Sequence, residues 1–260
     1  MVSMVRDVQR RDILGIGVDV VTLGLSISLI EQWIHLQSSR YVCVSNVHMC
    51  MEAFDDPAFR GVLQRADLVV PDGKPIAVGL RLLGARGVEQ IRGADLSRGL
   101  LRLAANRKLV VGLYGGTERA IGQFADYIER HYPGVCVGCA ISPPFRALDS
   151  SEDAAFVQRM NESGVQMLLV GLGCPKQEKW MADHKDKVNA VMVGVGAVFD
   201  FFSGERSEAP YWVRQIGMEW LFRLLAEPGR LWRRYLVLGP RFIWHFGKQL
   251  WVEGKSAVRR

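Results

Sequence analysis

The sequence predicts an α/β protein built on a mostly parallel sheet with helices on both faces. Short apolar, β-branched runs alternate with amphipathic stretches at least six times before residue 200. That alternation implies right-handed βαβ crossovers. Glycine-rich turns follow several of the apolar runs, as tight strand-to-helix connections require. From about Pro210 only helical pieces remain, and Pro228-Gly229 and Gly239-Pro240 are expected to cut them into three. The chain thus divides into an α/β body, 1–204, and a helical C-terminal appendage, 205–260.

Residues 13–22 read as a strand or hairpin, and 26–36 as a helix with Leu29, Ile30, Trp33 and Ile34 on one face. A strand at 41–44 ends at Ser45-Asn46. A helix follows through Met51 and resumes at Asp56-Pro57, an N-cap followed by proline at N1. Leu68, Val69 and Val70 form a short buried strand that Pro71 stops. Helices are expected over 74–83 and 95–106. Strand 109–114 leads through Gly115-Gly116 to a helix that Thr117 caps and Pro133-Gly134 breaks. Strand 135–141, helix 150–163, strand 166–172, helix 176–184 and strand 190–195 complete the body.

The 49% hydrophobic and 23% charged content is that of a globular protein. The eighteen residues 13–30 carry one charge, Asp19, but their glycines and β-branched residues favour strand, turn and helix over a membrane span. Five cysteines, an odd count without a secretory signal, favour a reducing cytosol. The Cys136–Cys139 CxxC lies in a strand-like run with no second ligand pair, which disfavours a metal or redox centre. Residues 1–200 carry 22 basic and 22 acidic side chains, residues 201–260 carry 11 and 5, so the whole excess of +6 lies in the appendage. Five of the seven tryptophans are there too. A basic, Trp-rich segment on a neutral body fits an anionic lipid surface. A packed helix with a solvated basic face is the plainer alternative, and no nucleic-acid motif is present.

Ala66–Gly73 (ADLVVPDG) places Asp72 at the carboxyl end of a strand, where open α/β sheets bind ligands. Asp72 is either a turn former or a working base. Three glycine turns, Gly115-Gly116, Gly171-Leu172-Gly173 and Gly194-Val195-Gly196, are candidates for a nucleotide diphosphate, because glycine admits it and helix starts offer free N–H groups. None fits the dinucleotide fingerprint, and there is no P-loop and no GxSxG. Lys176, Gln177 and Glu178 at a helix start can reach a ligand or serve as caps. Asp200 repeats the placement of Asp72, and the chain has no Asp-x-Asp for a metal clamp. Arg223, Arg230, Arg234, Arg241 and Lys248 recur at spacings of seven, four, seven and seven.

In order along the chain, Ser45-Asn46, ADLVVPDG (66–73), GADL (93–96), LYGG (113–116), HYPG (131–134), VGLGCPKQEKW (170–180), GVGAVFDFFSG (194–204) and the stretch 217–235 resemble the WecG/TagA/CpsF family of bacterial glycosyltransferases. The wording of 42–54 resembles its GumM-like branch, the xanthan-pathway glucosyltransferases. The resemblance implies a Rossmann-like fold of GT-E type. It implies inverting, metal-independent transfer, with no cofactor, from a UDP-sugar to a sugar on polyprenyl diphosphate, in exopolysaccharide or other envelope glycan synthesis. UDP-glucose is the expected donor; UDP-N-acetylmannosamine or its uronic acid is the alternative. By position, Asp72 corresponds to the catalytic base and Asn46 to its neighbour. Gly115, Gly116, Gly171, Gly173, Lys176, Gln177, Glu178, Gly196 and Asp200 would bind the nucleotide-sugar. Arg223, Arg230, Arg233 and Arg234 would meet the acceptor diphosphate, and the appendage would dock on the inner face of the plasma membrane. A homo-oligomer is left open.

Two positions depart from the family pattern: Gln90, with Arg92 nearby, replaces an arginine, and Glu208, with Arg206 nearby, replaces another. The rival readings are a non-catalytic nucleotide or anionic-surface binding module and, with its fingerprint missing, a Rossmann oxidoreductase. Removing 205–260 is expected to leave a folded body that exposes an apolar patch and no longer binds liposomes.

Overall fold

The computed structural model describes residues 8–204 and 207–258, so Arg206 lies outside the described residues. The chain opens with an antiparallel hairpin, β1 (Arg10–Ile13) and β2 (Ile16–Asp19). Asp19, in the middle of the apolar stretch 13–30, is buried there. It accepts from Arg10 Nε at 2.7 Å and from the Val69 backbone N–H at 2.7 Å, which ties the hairpin to the body.

Helix α1 (Leu23–His35) follows, capped by Thr22. Then come β3 (Arg40–Ser45), α2 (Val47–Asp55), α3 (Pro57–Gln64), β4 (Leu68–Pro71), α4 (Lys74–Leu82) and α5 (Gly93–Arg107). The body continues with β5 (Val110–Gly115), α6 (Glu118–His131), β6 (Cys136–Ile141), α7 (Ser150–Glu162), β7 (Met167–Gly171), α8 (Lys176–His184), β8 (Val191–Gly194) and α9 (Val198–Phe202). Six strands form one parallel sheet in the order β4-β3-β8-β7-β5-β6. This is the Rossmann-like α/β architecture that the sequence predicts.

Both faces of the sheet are covered. Tyr41 and Cys43 of β3 enter a core shared with α2, α3, α4, α7 and α8. Val42 and Val44 enter a second core with α1, α5, α6 and α9. Burial on both sides explains why the strands read as unbroken apolar runs rather than alternating ones. Each fully buried large apolar side chain contributes about 1.5–3 kcal/mol.

The tail departs from the expectation in one respect. After α10 (Tyr211–Gln215) and α11 (Glu219–Ala226), Glu227 leaves helical geometry and Pro228 starts a new helix, as expected. The Gly239-Pro240 break is absent: α12 (Pro228–Trp232), a π-helical turn (Arg233–Leu238) and α13 (Gly239–Val258) run on as one helix. Gly239 keeps helical dihedrals (φ −58, ψ −59). Proline is tolerated where a helix begins, and the wide turn before it shifts the hydrogen-bond pattern that an interior proline would break.

Helix α13 is anchored in the body. Phe242 and Phe246 are buried in the first core, and a Cβ added to Gly79 would lie 3.1 Å from the Phe246 ring. Gln249 accepts from the Leu14 N–H at 2.9 Å and donates to the Asp12 carbonyl at 2.8 Å. Arg241 pairs with both oxygens of Asp55 at 2.5 Å. No helix among the described residues is long and apolar enough to cross a membrane.

Candidate active site

The carboxyl ends of the strands open into one cavity of about 1190 Å³. Single small-ligand pockets span roughly 300–1,000 Å³, so this one has room for two substrates. At its base, parallel pairing sets Ser45 opposite Pro71, and the next residues, Asn46 and Asp72, emerge side by side. The Asp72 N–H donates to the Ser45 carbonyl at 2.7 Å. Gly73 then turns the chain into α4 at φ 87, a conformation that favours glycine.

Asn46 does two jobs. Its Oδ1 caps α2 by accepting from the Met49 N–H at 3.1 Å, and its amide hydrogen-bonds the Asp72 carboxylate. Burial is the largest influence on Asp72 and raises its pKa to about 7. Arg223 opposes that rise, Glu219 adds to it, and Asn46 and Arg92 oppose it more weakly. Beside it, His48 lines the same cavity, and burial together with Arg234 lowers its pKa to about 4.

Along the sheet, Gly116, Gly171, Gly173 and Gly196 line the cavity with Lys176, Gln177 and Asp200. Two of their N–H groups already have acceptors in the protein. The Gly116 N–H is spent on the Gly171 carbonyl at 3.1 Å, and the Gly196 N–H on Gln177 Oε1 at 3.1 Å. At Gly173 and Gly196 an added Cβ would meet nothing within 4 Å, whereas at Gly116 and Gly171 it would press on Phe199 at 3.2 and 3.1 Å.

Three expected residues stand outside the cavity. Gly115 is the buried last residue of β5, where a Cβ would sit 2.5 Å from the Gly171 carbonyl oxygen. Glu178 is fully buried beneath the floor, turned toward Gln177. Arg233 is exposed at the start of the π turn, while its neighbour Arg234 lines the cavity.

The tail supplies the facing wall. Arg223 of α11, Arg230 of α12, and Arg234 and Tyr235 of the π turn all line the cavity. Arg230 is paired with Glu227 at 2.7 and 2.9 Å. Among the described residues, Arg223 and Arg234 enter no ion pair; Arg223 lies over the Phe201 ring at 5.5 Å. Burial lowers the Arg234 pKa, and neighbouring Arg230 adds to the effect. Two charged groups with free capacity for an anion thus face the Asp72 end of the cavity. The structure also places the Gln90 and Glu208 departures. Gln90 lines the cavity beside Arg92, and Glu208 is bridged by Arg98 and by Arg214, the latter at 3.2 Å.

The model of the glycosyl transferase WecG/TagA/CpsF family matches residues 11–256. The chain belongs to the WecG/TagA/CpsF family, and it is a glycosyltransferase. An N-acetylglucosaminyldiphosphoundecaprenol N-acetyl-beta-D-mannosaminyltransferase of Bacillus spizizenii is 31% identical over 204 residues, covering 78% of this chain and 77% of that protein. Proteins of the same name from Bacillus subtilis (29%; 82% and 80% covered) and Staphylococcus aureus (27%; 91% and 92%) are also similar.

In this glycosyltransferase the sequence reading missed Glu219 and Tyr235. Glu219 sits four residues before Arg223 on α11, so helical spacing was the signal that could have found it. Tyr235 was hidden by the supposed break, because its facing depends on the π turn.

Proposed function

We propose that the chain transfers a sugar, with inversion and without metal, from a UDP-sugar to a sugar carried on polyprenyl diphosphate. The carrying observation is Asp72: a recessed carboxylate with pKa about 7, in one cavity with the glycine turns and an arginine wall. A base poised near neutral pH is suited to take the acceptor hydroxyl proton. As that oxygen bonds to the sugar C1, the bond from C1 to the UDP oxygen breaks and its electron pair leaves with the diphosphate. Asn46 steadies the ionised base. Gly116, Gly171, Gly173 and Gly196, with Lys176, Gln177 and Asp200, form the donor side.

Arg223, Arg230 and Arg234 are assigned to the acceptor diphosphate, since guanidinium groups bind phosphate oxygens in pairs. Exposed Leu225, Ile243, Trp244 and Trp251 beside basic residues support docking on the inner face of the membrane, where such an acceptor is held. Assembly of an envelope glycan or exopolysaccharide is the setting. The names of the relatives favour N-acetylmannosamine as the sugar moved and an N-acetylglucosaminyl diphospholipid as acceptor. Glucose, expected from the sequence, has no support among them.

The test is a donor screen with radiolabelled UDP-sugars, a synthetic polyprenyl-diphosphate N-acetylglucosamine and EDTA present, followed by mass analysis of the lipid product. Transfer that depends on added divalent metal, or full turnover by Asp72→Asn, would overturn this reading.

A further inference from the structure

The proposed chemistry leaves a fully buried carboxyl unused. Glu178 is fully buried, yet it stands next to the cavity floor. Its Oε1 accepts from Gln177 Nε2 at 2.6 Å, while its Oε2 has no hydrogen-bond partner. A buried carboxyl with an idle oxygen is costly, and such a cost calls for a compensating role.

Gln177 shows what that role is. Its amide has two ends, and they can be exchanged by rotating the group. Glu178 accepts only from the nitrogen end, so it holds the oxygen end toward the Gly196 N–H, 3.1 Å away. The fit is close on the other side as well. A Cβ at Gly194 would lie 3.0 Å from Gln177 Nε2, so the amide rests directly on the end of β8. The Gln177 backbone N–H is itself fixed, donating to the Gly173 carbonyl at 2.9 Å. One amide therefore joins the β7–α8 turn to the β8–α9 turn, and both turns line the cavity.

We propose that Glu178 is a positioning residue for the donor subsite: through Gln177 it fixes the turn from Gly194 to Val198 that leads to Asp200. The proposal rests on the reading of the glycine turns as the donor side. With the amide reversed, the Gln177 nitrogen would confront the Gly196 N–H, donor against donor. The turn would have to move, and with it the open approach at Gly196, where an added Cβ would meet nothing within 4 Å. The ionised carboxyl can only accept and so enforces this amide orientation; burial raises its pKa to about 7, and because the protonated form can also donate, the orientation is enforced most strongly above that pH.

The experiment compares the full-length wild type with Glu178→Gln and Glu178→Met, reading UDP binding by calorimetry and the separate KM values for donor and acceptor. Glu178→Gln keeps an acceptor oxygen and should hold UDP affinity and donor KM near wild type. Glu178→Met fills the space without an acceptor. It should weaken UDP binding and raise donor KM about tenfold, the scale of one lost buried hydrogen bond, with acceptor KM unmoved. Unchanged UDP affinity in Glu178→Met, or equal rises in both KM values, would overturn the proposal. If Glu178→Met does not fold, Glu178→Gln decides instead: a tenfold loss of UDP affinity there overturns it, and wild-type affinity supports it. Wild-type protein that fails to bind UDP would refute the donor-side reading itself, which is a different result.

Discussion

The Asp72 N–H and the Ser45 carbonyl meet at 2.7 Å, one residue beyond the last paired positions of β3 and β4. That bond makes the placement of the carboxylate a property of the sheet rather than of a loose turn. Asp72 and its neighbour Asn46 are therefore tied to the strands that carry them.

Asp72→Asn should lower kcat by about 10²–10⁴-fold, the usual contribution of a well-placed general base, while leaving UDP affinity within about twofold. Single-turnover transfer and calorimetry on the same preparation check both halves. A drop in UDP affinity as large as the drop in kcat would argue for a donor-binding role instead.

Under the proposed mechanism the acid limb of the pH–rate profile should lie near pH 7, because a general base works only when ionised and burial raises the Asp72 pKa to about 7. Removing Asn46 or Arg223, which favour the ionised form, should move that limb to higher pH. Glu219→Gln should move it lower, since Glu219 disfavours ionisation. The Asn46→Ala variant should also lose about 1 kcal/mol of stability from the missing helix cap.

Stability should follow the same carboxyls. Folded-state pKa values near 7 for Asp72 and Glu178 lie above their ordinary values of 3.8 and 4.5. The stability from these two groups is therefore complete below about pH 4 and is lost as pH rises toward 7, when the folded state must release protons that the unfolded chain has already lost. Urea denaturation between pH 4 and 7 should show that fall, and Asp72→Asn and Glu178→Gln should each flatten it.

Arg234→Ala should raise acceptor KM with little change in donor KM and no loss of vesicle binding, because Arg234 faces the cavity. Trp244→Asp and Trp251→Asp should do the reverse, cutting co-sedimentation with anionic vesicles. Both side chains are 64% exposed and lie outside the cavity lining.

Phe246→Ala should cost about 3–5 kcal/mol, the range for emptying a buried aromatic site, as read from chemical denaturation. For the same reason, removing residues 205–260 should lower thermal stability sharply. Phe242 and Phe246 leave the core with that cut, and the Gln249 bonds to the hairpin are lost.

Most of the body was legible because its signals are local. Asn46, Asp56 and Thr117 cap the helices that their side chains suit, and the apolar runs become buried parallel strands. What was not legible depends on tertiary partners. Gln177 and Glu178 are adjacent on one helix and both buried, and only the floor beneath them decides which faces the cavity. The glycine turns were rightly placed, but no sequence says that the Gly116 and Gly196 N–H groups already have acceptors. Gly239-Pro240 has the composition of a stop. A single π turn makes it a continuation and so turns Arg234 inward and Arg233 outward.

The helix from Pro228 to Val258 behaves as a lever with one end clamped. Its far portion is gripped through Phe242, Phe246 and Gln249, so the part of the arginine wall that it carries, Arg230 and Arg234, cannot swing away as a free arm. Opening the cavity on that side requires either prising the aromatic pair from the body or flexing at residues 233–238, the one stretch of the rod without α-helical bonding. The residues that would bend are the same ones that carry Arg234 and Tyr235.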